Sequence, residues 1–412
     1  MHPAPECDRP ALSPEDLGPD ALPVYRSLKR LEKWVEDHHY EAYEPFDGLS
    51  SPLRRLTFGN LLLDRLLMQA VRQSPINLRP LLGIQPLPST KGRGYMAAGY
   101  LEMYRLTNDA EYVEKARGCL DWLIAHKSPR FNQFSWANHF DFASRGGSYS
   151  KDESIIVWTA LIGQSFIDGF EATGEPKYLQ TADSACRWIL SLPREQTTSG
   201  TCISYHAVSQ SSIHNANMLG AALLARTWKH IGNPDFLQAA QDAMLYSCSR
   251  QRQDGSWWYA EDPKHHWIDN FHTGYNLDSL KCYVENAGDD TYRSAIANGL
   301  EFYKRHFFRE DGCPGYYHNR TYPIDSQCAA QAIETLAGFS AWDPECLELA
   351  KRVASWTIQN MQAPDGHFYY RVYPFIKAKA PMLHWAQATI YKAQTLLVAT
   401  LVSRSLARRG SQ

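Results

Sequence analysis

The chain has 412 residues, a formal net charge of −2 at pH 7, 44% hydrophobic and 21% charged residues. That composition supports a sizeable core and excludes a protein that grips nucleic acid through a basic surface. No apolar run reaches the ~20 residues of a bilayer span, and the start Met1-His2-Pro3-Ala4-Pro5 lacks the pattern of a secretory leader.

Residues 1–20 are rich in Pro, Asp and Glu and read as a flexible arm. Leu22 to His38 reads as a helix, Tyr43 to Leu49 as a turn-rich stretch, and Leu56 to Arg72 as a second helix. From there the chain repeats. Thr107–Tyr112, Thr173–Tyr178, Ile231–Phe236 and Ala287–Tyr292 carry the same helix stop and restart, about 55 to 65 residues apart, with a weaker copy at Trp342-Asp343-Pro344. Gly ends one helix, Asp or Asn caps the next, and Pro fits its first turn. Asp254-Gly255, Asp311-Gly312 and Asp365-Gly366 form a second ruler of similar period, each leading into aromatic residues.

The first helix of each pair is expected to begin near Gly94, Glu153, His214, His272 and Asp325, rich in Ala, Gly, Leu and Met and so buried on most sides. The second helices, such as Tyr112 to His126 and Glu345 to Asn360, show Lys and Arg on one face. A last inner-type helix, His384 to Leu397, has no partner after it, and the N-terminal helices have none before them. Pairing the two ends gives an all-α, (α/α)6 toroid: one domain over 21–405, with 406–412 as a tail.

In such a ring the inner helices start on one face, where their dipoles add positive potential. The stretch Trp257 to Asn276 dominates that face, with His272, Tyr275, Asn276 and Ser279 recurring on one side of a helix. The catalytic candidates are Asp269, His272 and Asp325. The binding candidates are Trp136, Asn138, His139, Asp141, His214, Asn217, Trp257, Trp258, Trp267, Tyr275, Asn276, Tyr317, His318, Gln327, Tyr369, Arg371 and His384. Aromatic faces stack on the C–H faces of sugar rings while amides and carboxylates bind hydroxyls, so a poly- or oligosaccharide is the expected partner.

For glycoside hydrolysis, the first choice, Asp269 and Asp325 form the carboxylate pair, with Asp141 in reserve. Asp325 also suits a plain N-cap. For a uronate epimerase or lyase, His272 with Tyr275, or His214 with Tyr317, supplies the base and acid, and Arg371, Lys377 and Lys379 neutralise the sugar carboxylate. A third possibility is a non-catalytic glycan-binding scaffold of polysaccharide assembly. No H-E-x-x-H motif or Cys/His ligand spacing occurs, so neither metal nor cofactor is expected. Nine cysteines without a C-x-x-C pair read as reduced thiols of a cytoplasmic protein.

The repeat, with Thr-Gly-Glu-Pro-Lys-Tyr-Leu at 173–179 and Asp-Gly-Ser-Trp-Trp at 254–258, resembles the six-hairpin glycosidase superfamily over about residues 90–400. That superfamily includes unsaturated glucuronyl hydrolases and N-acylglucosamine 2-epimerases, which implies the toroid and a sugar substrate. Tyr43 to Leu49 together with Asp269 to Asn276 resembles a bacterial group found with exopolysaccharide biosynthesis. Phe271-His272-Thr273, with Leu277 and Leu280 behind it, is similar to the Tyr-His-Thr segment in the helical domain of glucuronyl C5-epimerases.

Overall fold

Glycine stops and Asx caps set the architecture at each hairpin. Gly174, Gly232 and Gly288 close their helices at φ 69°, 71° and 67°, and Asn108 does the same at φ 55°. The side chains of Asp109, Asn233 and Asp343 then accept the backbone N–H of Glu111, Asp235 and Glu345 and start the return helix.

The computed structural model describes residues 14–144 and 147–409. Among these, thirteen α-helices occur. Six form an inner ring: α3 (Thr90–Thr107), α5 (Ile156–Thr173), α7 (His214–Ile231), α9 (Asn270–Ala287), α11 (Ser326–Gly338) and α13 (Thr389–Arg409). Each packs on the next and α13 packs on α3, so the circle is closed. The outer partners are α4 (Ala110–Ala125), α6 (Pro176–Leu190), α8 (Pro234–Cys248), α10 (Arg293–His306), α12 (Pro344–Met361) and α1 (Pro14–Asp37), the last packing on α13. Small residues let inner helices approach closely: a Cβ on Gly163 would lie 2.4 Å from Leu223 Cδ2, and one on Gly99 would lie 2.5 Å from the Tyr391 ring.

Caps move several expected boundaries. Ser89 accepts Gly92 N–H and starts α3 four residues before Gly94, while Asp269 and Asp325 are themselves caps, of α9 and α11. The helix expected from Leu22 begins at Pro14 and is interrupted at Gly18, φ 63°. Of the expected N-terminal arm, residues 1–13 lie outside the described ones, as do 410–412 of the tail. The single helix expected over Leu56–Arg72 is instead a 3-10 segment, Pro52–Thr57, and α2 (Leu61–Gln73). Left-handed Phe58 and Gly59 part them, and Asn60 caps α2.

At the mouth, the residue before each inner helix pairs with the following loop. The bridges are Ile155 with His206, Ile213 with Ala260, Asp269 with Tyr317, and Asp325 with Arg371. Met382 pairs with Tyr43, which joins the last loop to the first. The first loop, residues 38–89, is the longest and carries α2. It lies across the mouth: Arg54 contacts Asp141, Phe46 meets Trp385 edge-on at 5.8 Å, and Gln73 Oε1 accepts from Arg371. No described helix is long and apolar enough to cross a membrane. The eight described cysteines are free thiols.

Candidate active site

The cap that starts α9 also builds the strongest chemical feature of the bowl. Asp269 Oδ1 accepts the backbone N–H of His272, while its Oδ2 lies 2.7 Å from His272 Nδ1 and accepts Trp267 Nε1–H at 3.1 Å. The carboxylate is 2% exposed, so it acts as a fixed anion that orients the imidazole. With Nδ1 bound to Asp269, His272 lines a narrow crevice. Asn215, Trp258, Tyr259, Trp267 and Asn276 share its walls. Trp267 stacks on Tyr259 at 4.6 Å, and Trp258 on His266 at 4.8 Å, giving the rim flat aromatic faces.

Below this crevice lies a buried lysine. Lys91 Nζ sits 3.2 Å from Tyr275 Oη and over the Trp158 ring at 4.9 Å. Tyr275 Oη also meets Tyr95 Oη at 3.0 Å and accepts from Gln327 Nε2 at 3.1 Å. Burial brings the Lys91 pKa down to about 7: the lost hydration of its ammonium outweighs the attraction of Glu44 and Glu334, neither of which forms an ion pair with it. Trp158 continues the line to His384, whose ring it meets edge-on at 5.1 Å.

His384 forms a second imidazole–carboxylate pair, with Nδ1 2.7 Å from Glu44 Oε1. Burial lowers the His384 pKa and keeps the ring neutral. His139 is nearby and is pushed down to about 4 by desolvation. Several buried polar atoms here have no hydrogen-bond partner within the protein: Glu44 Oε2, His384 Nε2, Asn215 Oδ1, Asn276 Oδ1 and Gln327 Oε1. They belong to the first two turns of α7, α9 and α11, to the π-helical turn Leu383–Ala388 ahead of α13, and to the loop above them. Unpaired groups are costly to bury, so their convergence suits a ligand bearing many hydroxyls.

No family model and no curated protein matches the chain. Solved structures do. An unsaturated glucuronyl hydrolase specific for heparin superposes with TM-score 0.60 at 13% identity, covering 95% of this chain and 99% of its own. A polysaccharide lyase gives 0.59 at 14%, covering 94% and 98%. Cellobiose 2-epimerase from Bacillus thermoamylovorans gives 0.62 at 11%, covering 77% and 88%. The fold is the (α/α)6 toroid that these structures share.

Within the toroid the sequence candidates divide. Asp269, His272, Trp258, Trp267, Tyr275, Asn276, Gln327, His139 and His384 gather in or around the bowl. Asp325, expected as the second hydrolytic carboxylate, is fully buried, caps α11, accepts Trp385 Nε1–H at 2.7 Å and pairs with Arg371 at 2.6 Å. Arg371 is thereby committed to Asp325 and not to a sugar carboxylate. Asp141 is bound by Arg54 and by the backbone of Lys151.

Other candidates are structural. Trp136 and Trp257 are buried and donate to the carbonyls of Leu123 and Ser247, although Trp257 also reaches the crevice wall. Asn138 is buried beside His139, with its carbonyl accepting Asp152 N–H. Asn217 holds Ile203 N–H and the Ala243 carbonyl, and His214 is locked between Ser247 and Glu261. Both point toward α8. Tyr317 and His318 line a separate groove of about 570 Å³ beside His306, and Tyr369 sits by His367 under Lys377 and Lys379. Among described residues no group of three His, Cys, Asp or Glu is placed to hold a metal.

Sequence reading missed Lys91, Glu44, Tyr95 and Trp158. Lys91 was legible as a charge at the start of a helix rich in small and apolar residues, in the run Lys91-Gly92-Arg93-Gly94-Tyr95-Met96 directly after Ser89-Thr90. The expected start at Gly94 placed it outside the helix. Glu44 had no signal, because its meeting with His384 joins opposite ends of the chain.

Proposed function

We propose that this protein is a carbohydrate-active enzyme that moves a proton at a carbon beside a carboxylate, a uronate C5-epimerase or polysaccharide lyase. The observation that carries the reading is the pairing of Asp269 with His272 at the crevice wall, with the buried Lys91 joined to the same helix through Tyr275 Oη. A base that takes a proton from C5 must be neutral and aimed, and Asp269 supplies the aim. The carbanion that forms is stabilised when its charge spreads into the sugar carboxylate. Lys91 is suited to receive that carboxylate: a buried ammonium that makes no ion pair among the described residues gains when a substrate brings an anion. His384, backed by Glu44, is the second imidazole, and return of the proton from its side would invert C5. Elimination of the group at C4 from the same carbanion would be the lyase outcome.

Glycoside hydrolysis is the second reading. It is supported by the aromatic bank of Trp258, Tyr259 and Trp267 beside Asp269, and by the glucuronyl hydrolase likeness. Its carboxylates are less suited: Asp325 and Asp141 are bound elsewhere, and Glu44, whose Oε2 is unpartnered, sits against His384. The deciding experiment incubates the protein with acidic and neutral polysaccharides in heavy water and reads three signals. Deuterium at C5 marks epimerisation, absorbance of an unsaturated uronate marks elimination, and new reducing ends without either mark hydrolysis. Deuterium or unsaturation that disappears in His272→Ala supports the proposal. New reducing ends alone would replace it with hydrolysis, and binding without turnover would make the protein a glycan-binding scaffold. The free thiols fit a reducing compartment, which we take to be the cytoplasm.

A further inference from the structure

We propose that residues 53–81, on the outer side of the loop that crosses the mouth, form a docking surface for an anionic phospholipid bilayer. Sixteen large hydrophobic side chains are exposed among the described residues, and nine of them lie in this short stretch: Leu53, Leu56, Phe58, Leu61, Leu62, Leu63, Leu66, Ile76 and Leu81. On α2, Leu62 and Leu66 follow one another at one-turn spacing, while Asp64, Met68 and Val71 are the buried face. Water does not explain such a face.

The backbone is also arranged to display it. Phe58 is 89% exposed and holds φ 52°, a conformation disfavoured for a bulky L-residue, followed by Gly59 at φ 72°. That turn sets an aromatic ring at the tip of the segment.

Charge selects the partner. Between residues 50 and 86 the ionisable side chains are Arg54, Arg55, Asp64, Arg65, Arg72 and Arg79. The single acid, Asp64, is buried on Thr57 Oγ1. Arg54 pairs with Asp141, Arg79 with Asp47, and Arg72 lies over the Phe46 ring. Arg55 and Arg65 have no carboxylate partner among the described residues, and the exposed face thus presents leucines, one isoleucine and one phenylalanine, with arginine as its only ionisable group among the described residues. That is the composition of an element lying in the headgroup region of an anionic membrane. A second copy of the chain meeting this face would bring like charges together.

The test uses the full chain and co-sedimentation with two vesicles, phosphatidylcholine alone and phosphatidylcholine with roughly one part in three phosphatidylglycerol. The protein is expected to pellet with the anionic vesicles. Arg55→Glu with Arg65→Glu lowers the bound fraction by on the order of 10-fold or more. Phe58→Ser/Leu62→Ser/Leu66→Ser abolishes binding while far-UV circular dichroism is unchanged. Protein left in the supernatant with both vesicles overturns the proposal, as does binding that neither variant changes. A dimer seen by light scattering, dissolved by the serine variant, with no vesicle binding, assigns the face to a second copy and also overturns it. None of these outcomes touches the sugar chemistry, because the substituted residues lie outside the bowl.

Discussion

Replacing Lys91 by methionine is expected to make the protein harder to unfold at neutral pH while removing its turnover. In the folded chain Lys91 titrates at about 7 instead of its ordinary 10.5. Above pH 10.5 neither the folded nor the unfolded chain protonates it, and the buried amine costs nothing by charge. Between 10.5 and about 7 the unfolded chain holds the proton and the folded chain does not, so stability falls as pH falls. Below about 7 both hold it, and the full cost stands, on the order of 5 kcal/mol. Methionine fills similar volume with no charge and gives up the contact with Tyr275, worth about 1 kcal/mol. The variant's advantage at pH 7 is then roughly 2–4 kcal/mol, shrinking toward zero near pH 10. Urea midpoints of both proteins, measured from about pH 6 to about pH 10, read this difference directly. A gap that stays constant with pH, or a Lys91→Met protein weaker than the parent at pH 7, would refute the claim that Lys91 is held uncompensated in the bowl. Turnover that survives the substitution would remove its role toward the substrate. A group that destabilises the fold yet is needed for activity is what a prepared site is expected to contain.

Asp269→Asn keeps the cap of α9 but removes the anion behind His272; kcat is expected to fall about 10²- to 10⁴-fold with KM little changed, read by steady-state kinetics on the substrate the panel finds. Arg371→Met leaves the buried Asp325 charge without its partner and costs about 3–5 kcal/mol, whereas Arg371→Met with Asp325→Asn recovers most of that in denaturant melts. Equal losses in the single and the double variant would deny the ion pair its structural role. Gly255→Ala places a Cβ 2.3 Å from the Asn298 carbonyl at φ 88°, so it is expected to lower stability by about 1–3 kcal/mol. A melting curve unchanged from the parent would contradict that close packing.

The toroid was legible because its instructions are local and repeated. Gly174, Gly232 and Gly288 each stop a helix by their own backbone freedom, and Asn233 and Asp343 each start one through their own side chain. Residues that gather at the candidate site were legible where chemistry and helix start coincide, as at Asp269 and His272. They were misread where the same residue type serves packing. His214 looks like His272 by position, yet Ser247 and Glu261 turn it toward the outer layer. Asp325 and Asp269 are both caps, but only Asp269 lends its second oxygen to an imidazole. What decides between them is which neighbour the next loop brings, and that is not written near either residue.

The joint between Tyr43 and Met382 has a consequence for how the chain assembles. Five hairpins can fold as they emerge, each from sequence close at hand. The sixth cannot: α1 comes out first and its partner α13 last. Until then Leu28, Leu31 and Val35, all fully buried in the finished molecule, lack the helix they pack against. Synthesis of this protein therefore leaves its earliest helix waiting with a bare apolar side, a natural point for a chaperone to hold it.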